Sequence, residues 1–239
     1  GDIIIRGKST KTGGSNLDNI GLYQYGILNA NSGTGSIVLF GSSTAFFGIN
    51  FTEPVTNQST GTKQLTLSSA KTSGYAIVIN GTSGTNYGVV FNYANPKEVL
   101  ATGGGNITIT GVSGGSEGIF LQNQDILASG GTVTLDGGSR GILSTNYGAR
   151  FGARSGTDIT NSTANIRILG DILTFNSLTS GFTNTVSTTG TLSIQPSGNS
   201  FSSALSWPIT NFTVNSGITG LTIGTISNTA NITISDDIE

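Results

Sequence analysis

The chain contains no cysteine and no histidine, and only 9% of its 239 residues are charged. Without cysteine there is no disulfide, no thiolate nucleophile and no zinc–thiolate site. Without histidine, every His-based triad, proton relay and His-ligated metal site is excluded. Ten Lys and Arg are dispersed among twelve Asp and Glu, for a net charge of −2. That leaves no basic stripe to follow a phosphate backbone, so no nucleic-acid partner is expected. Apolar runs last only a few residues, too few for a membrane-spanning helix. Alternating runs are about five or six residues long, shorter than the roughly ten a membrane β-barrel strand needs. No membrane insertion is expected. No stretch carries the 3.6-residue period of a helix. Glycine clusters such as Gly103-Gly104-Gly105 sit between strand-like phrases. They lack the following helix N-terminus that a dinucleotide or phosphate-loop site requires.

What the chain has is repetition. Glycine supplies 37 of the 239 residues, about twice ordinary usage. A phrase of alternating apolar and polar residues, closed by a small or polar residue, returns throughout. It reads Ile37-Val38-Leu39-Phe40-Gly41, Leu65-Thr66-Leu67-Ser68, Ile107-Thr108-Ile109-Thr110-Gly111 and Val133-Thr134-Leu135-Asp136-Gly137. Later copies are Ile166-Arg167-Ile168-Leu169-Gly170, Leu192-Ser193-Ile194-Gln195, Leu221-Thr222-Ile223-Gly224 and Ile232-Thr233-Ile234-Ser235. Inexact repetition at a few tens of residues predicts a solenoid. Residues 106–131 show one unit: strands at Asn106–Thr110, Gly118–Leu121 and Asp125–Ala128, separated by Gly/Ser turns. Three short strands per coil give a prism, each coil pairing in parallel with the next about 4.8 Å away. Regular coils step 26–29 residues, as from Ile107 to Val133 and from Leu192 to Leu221. The interval from Leu65 to Ile107 holds additional strands. An antiparallel sandwich is the competing fold. It is disfavoured because only Asn80-Gly81 reads as a two-residue hairpin turn.

The second strands share another signature, glycine before an apolar run, as in Gly48-Ile49, Gly88-Val89, Gly118-Ile119 and Gly141-Ile142. Here glycine is expected to turn the corner. Aromatic residues gather nearby: Tyr23, Tyr25, Phe46, Phe47, Phe51, Tyr87, Phe91, Tyr93, Tyr147 and Phe151. They read as interior filling or as an exposed platform for sugar rings.

Polysaccharide-cleaving chemistry would need clustered carboxylates. Asp136 and Asp171 both follow first-strand phrases but do not match in register, and Asp125 and Asp158 read as isolated solvated charges. Asp236-Asp237-Ile238-Glu239 forms an acidic end. Arg140, Arg150, Arg154 and Arg167 place four of the ten basic residues close together in sequence, with Gly148-Ala149-Arg150 and Gly152-Ala153-Arg154 repeating a triplet. On one face they would form a surface for an anionic sugar or acidic partner. Otherwise they are scattered charges, some paired with Asp136 or Asp158. The outward residues of the repeated phrase read Val38, Thr66, Thr108, Thr134, Arg167, Ser193, Thr222 and Thr233. Such a threonine file could present an ice-binding face, though threonine is favoured on exposed strands in any case.

The phrases Thr191-Leu192-Ser193-Ile194-Gln195-Pro196, Leu221-Thr222-Ile223-Gly224 and Asn231-Ile232-Thr233-Ile234, within residues 189–235, resemble the filamentous-haemagglutinin type of bacterial surface protein. The resemblance implies an all-β, right-handed parallel β-helix in a secreted adhesin or surface filament, located outside the cell. It brings no catalytic residue. The expectation is one solenoid segment over 1–239, with irregular aromatic-rich coils over 1–105 and more regular coils over 106–239. Strand phrases at both ends mark it as a piece of a longer chain. The expected role is structural and adhesive, not enzymatic, with no cofactor. Expected partners are further coils of the parent chain or identical subunits, and surface glycans. The alternatives are a carbohydrate-active β-helix enzyme and a homopolymeric fibre or sheath.

Overall fold

A computed structural model describes residues 1–12, 19–24, 26–30, 33–52, 65–92, 97–179, 182–215 and 217–235. They form a parallel β-solenoid of about seven turns with roughly three strands per coil. The first face stacks eight strands: Ile3–Ser9, Ile37–Ser43, Tyr75–Ser83, Asn106–Ser113, Thr132–Asp136, Asn165–Leu169, Thr191–Gln195 and Gly220–Ile223. The second stacks Leu22–Gln24, Ile49–Phe51, Val89–Phe91, Ile119–Leu121, Ile142–Asn146 and Leu173–Leu178. The third stacks Ile27–Ala30, Leu65–Ser69, Lys97–Ala101, Gln124–Ala128, Ala149–Gly152, Asn184–Ser187 and Phe212–Val214. Leu205–Trp207 and Ile232–Ile234 pair with each other in a small sheet of their own.

In-register parallel pairing converts the alternating sequence into files along the axis. On the first face one inward file runs Ile3, Ile37, Ile77, Ile107, Val133, Ile166, Leu192, Leu221. Its neighbour runs Ile5, Leu39, Ile79, Ile109, Leu135, Ile168, Ile194, Ile223. In both files the side chains of the middle coils are sealed from solvent. Each contributes about 1.5–3 kcal/mol by leaving water. The second and third faces complete the core, where Phe51 and Phe91 stack at 4.5 Å with planes 5° apart and Val99, Ile126, Phe151 and Val186 form a third file.

A third file on the first face is glycine: Gly7, Gly41, Gly81 and Gly111. A Cβ on Gly41, Gly81 or Gly111 would lie 2.2, 2.1 or 2.0 Å from the carbonyl oxygen of Gly48, Gly88 or Gly118. The chain therefore folds sharply onto itself at this corner, and glycine serves here for close backbone approach. Two residues on, a serine fastens the corner. Ser43, Ser83 and Ser113 donate to the carbonyls of Asn19, Phe46 and Asn86, each on a neighbouring coil. Their oxygens accept from the amides of Phe46 at 2.9 Å, Asn86 at 2.8 Å and Gly115 at 3.1 Å. Acidic and amide side chains add staples between coils. Asn106 Oδ1 accepts from Thr132 N at 2.9 Å, and Asn165 Oδ1 from Thr191 N at 3.0 Å. Asp2 Oδ1 accepts from Ser36 N at 2.7 Å. That backbone N–H holds the Asp2 carboxyl below the usual carboxylate range.

Two expectations are corrected. The phrase Leu65–Ser69 is a third-face strand, and Tyr75–Ser83 occupies its expected place on the first face. The first-face step from Ile37 to Ile77 is therefore 40 residues, and that from Ile77 to Ile107 is 30. Likewise Ile232–Ile234 leaves the first face and pairs with Leu205–Trp207. The cause is that a five-residue alternation looks alike on every face. The true outward file is Ile4, Val38, Val78, Thr108, Thr134, Arg167, Ser193, Thr222. It offers no continuous threonine array for ice.

Candidate functional site: an arginine–aspartate cluster beside a polar cleft

The four clustered arginines do not share a face. Arg140 lies in the 3-10 turn Gly138–Arg140 and donates Nη2 to Gly114 O at 3.0 Å. Arg167 is exposed at the centre of a first-face strand, in register with Thr134 and Ser193. Arg150 and Arg154 come together on the third face. The first of the two Gly-Ala-Arg triplets runs into the strand Ala149–Gly152. The second begins a loop that turns back over that face. Gly148 and Gly152 open the triplets at φ values of 67° and 89°, which side chains resist. Arg154 N donates to Ile159 O at 2.9 Å, and Thr157 Oγ1 to Arg154 O at 2.7 Å, closing the loop. Ile159 and Ala153 then pack on Leu100 and Leu127, which point outward from the sheet.

Beneath this cover lies Asp125. Its strand, Gln124–Ala128, places it in an outward file with Thr66, Glu98, Arg150 and Thr185. The Asp125 side chain is 0% exposed, with the Arg150 Nε on one carboxylate oxygen and the Arg154 Nη1 on the other. Arg150 Nη2 also donates to Asn123 Oδ1 at 2.9 Å. The pairing with Asp136 or Asp158 is thus corrected: the partner is Asp125, and it is a buried strand residue. The cluster sets two bases against Asp125, and Glu98 lies buried in the same file on the adjacent coil. Its guanidinium donors are already directed at a carboxylate, which removes most of the attraction for an outside anion.

Beside the cluster opens a cleft of about 320 Å³, lined by Arg150, Arg154, Thr160, Thr185, Ser187 and Asn215. A hollow of about 390 Å³ adjoins it, walled by Ser, Thr and Asn side chains. Part of that wall is structural. Ser162 Oγ donates to Ala128 O and Thr188 Oγ1 to Ala164 O, both at 2.7 Å, tying coil to coil.

The aromatic residues divide between buried and half-buried positions. Phe51, Phe91 and Phe151 fill the interior. Phe46, Phe47, Tyr87 and Phe120 are half-buried and form a strip along the axis, with the Phe47–Tyr87 and Tyr87–Phe120 centroids 5.9 and 5.0 Å apart. Burial, helped by Glu117, pushes the Tyr87 hydroxyl pKa up. Tyr147 packs edge-on to Phe182 at 4.8 Å. Tyr25 and Tyr93 lie outside the described residues, as do Gln64, Asp18, Glu53, Asp236, Asp237 and Glu239.

Asp136 and Asp171 serve turns. Asp136 Oδ1 accepts from Gly138 N at 2.9 Å and Ser197 Oγ at 2.7 Å; Asp171 Oδ1 accepts from Gly198 N at 2.8 Å. Among the described residues no three acidic side chains form a group able to hold a metal ion. The role of Asp125 went unread in the sequence. The signal for it was a polar residue at the outward position of one third-face strand and Arg150 at the same position of the next. No family model matches the chain, and neither do the curated proteins or the solved structures with which it was compared.

Proposed function

We propose that the chain is a structural and adhesive, non-catalytic segment of a secreted bacterial surface protein, of the filamentous-haemagglutinin type that residues 189–235 resemble. One observation carries this reading: polar side chains are committed to holding coil to coil. Ser43, Ser83, Ser113, Asn106, Asn165, Ser162 and Thr188 each bridge residues 24–37 positions apart. The buried carboxylate of Asp125 likewise pins a loop across the third face. Such a molecule is a stiff spacer with long sides, its eight first-face strands spanning roughly 35 Å. The ends of that stack fit further coils of a parent chain or an identical subunit, and the sides fit surface glycans. The chain would work outside the cell and without a cofactor.

The test has two arms. Beads coated with the folded chain should adhere to glycan-bearing cell surfaces, and beads coated with heat-unfolded chain should not. The chain incubated with neutral and uronate polysaccharides should release no more reducing ends, and no more unsaturated product, than a boiled control. Release above that control would overturn the non-catalytic reading in favour of a lyase or hydrolase. Failure of adhesion would overturn the adhesive one.

A further inference from the structure

The first three coils carry a second basic site. On the strand Ile3–Ser9 the outward residues Ile4, Arg6 and Lys8 are all exposed. Register places Arg6 beside Phe40 and then Asn80, and Lys8 beside Ser42 and then Thr82. These six residues, from Arg6 to Thr82, line a hollow of about 280 Å³ on the open sheet face. The Arg6 guanidinium carbon sits 4.1 Å from the centroid of the Phe40 ring. Among the described residues neither Arg6 nor Lys8 pairs with a carboxylate. The acid on the same segment, Asp2, is occupied by the Ser36 amide. This is the reverse of the third-face cluster, where Asp125 absorbs both arginines.

We infer that this hollow is a subsite for a carboxylate-bearing sugar residue of an acidic polysaccharide. The Phe40 face holds the guanidinium by a cation–π contact. The guanidinium's N–H edge can then fork onto a planar carboxylate, a geometry that suits arginine. Lys8 adds a second positive charge one file along. Ser42, Asn80 and Thr82 provide donors and acceptors for ring hydroxyls. The flat, open face admits an extended polymer, whereas a closed pocket would take only a free sugar. The inference rests on the adhesive reading and names the chemical class of its glycan.

The test measures binding of the whole chain to polygalacturonate, with neutral dextran, dextran sulfate and phosphatidylserine-containing vesicles as comparisons. Polygalacturonate should bind and dextran should not, and binding should weaken as salt is raised. Arg6→Ala should weaken binding about tenfold or more, the value of one charge-assisted contact. Phe40→Ala should weaken it severalfold by releasing the guanidinium. Arg167→Ala, farther along the same face, should leave it unchanged. These side chains point outward, so melting curves of the variants should overlay that of the parent chain. Absence of polygalacturonate binding, or equal binding by Arg6→Ala and the parent, would overturn the inference. Preference for dextran sulfate would overturn the carboxylate assignment, and preference for the vesicles would replace the glycan with a membrane surface. Coated beads that still adhere to cells without binding polygalacturonate would remove this subsite and leave the adhesive reading standing.

Discussion

Replacing Asp125 with alanine is expected to destabilise the chain by about 3–5 kcal/mol, the usual cost of breaking a buried ion pair from one side. The Asp125 carboxylate is sealed from solvent and receives both Arg150 and Arg154. Without it, Arg150, whose side chain is 13% exposed, loses the carboxylate that its Nε faces. The loop that Arg154 anchors loses its link to the sheet, and the apolar contact of Ile159 with Leu100 and Leu127 loosens with it. For a chain of this length the loss corresponds to a fall of roughly 10 °C in melting temperature, measurable by circular dichroism. Hydrogen exchange should locate the damage at Gln124–Ala128 and Ala149–Gly152. Changing Arg150 and Arg154 to methionine in the Asp125→Ala background should restore part of the stability, because the two guanidiniums that lost the Asp125 carboxylate are then gone. A melting temperature within about 2 °C of the parent for Asp125→Ala alone would contradict the buried role.

A comparable effect is expected at the centre of the stack. Ile109 is 0% exposed and lies in register between Ile79 and Leu135. Ile109→Asp places an unpaired carboxylate among aliphatic side chains and removes the contacts that Ile109 makes in both directions along the file. The expected loss is on the order of 5 kcal/mol. Ile168→Asp, at 1% exposure, should behave similarly. Because each coil supports only its neighbours, damage should be strongest in the adjoining coils and fade along the axis. Protease cutting confined to coils near the substitution is the expected pattern. Thermal melting unchanged in both variants would place these residues outside the core.

The fold was legible because one rule repeats: alternation fixes which side chains face inward, and parallel stacking multiplies that choice into files. Ile107, Val133, Ile166 and Leu192 stand in the predicted order and spacing. Face assignment was less legible. Leu65-Thr66-Leu67 alternates as Ile77-Val78-Ile79 does, yet the two strands lie on different faces. The distinguishing mark comes after the alternation. Gly41-Ser42-Ser43, Gly81-Thr82-Ser83 and Gly111-Val112-Ser113 each end a first-face strand, and each first glycine precedes another glycine by seven residues. Leu65–Ser69 lacks that corner. The polar clusters were the least legible, because they depend on register between coils of unequal length. Arg150 and Asp125 are 25 residues apart and become neighbours only once the coil lengths are known. Proximity in sequence grouped Arg150 with Arg140 and Arg167, which the coils separate. The Arg6 and Phe40 neighbours come from phrases 34 residues apart.

Cysteine pairing tests the parallel stack most directly, since the chain has no cysteine of its own. Thr108 and Thr134 are register partners on adjacent first-face strands, at a spacing of about 4.8 Å that a disulfide can bridge. Thr66 lies on the third face. Under mild oxidation the pair Thr108→Cys and Thr134→Cys should form an intramolecular disulfide in high yield, while Thr66→Cys with Thr108→Cys should remain reduced. A disulfide in the second pair and none in the first would contradict the stacked coils.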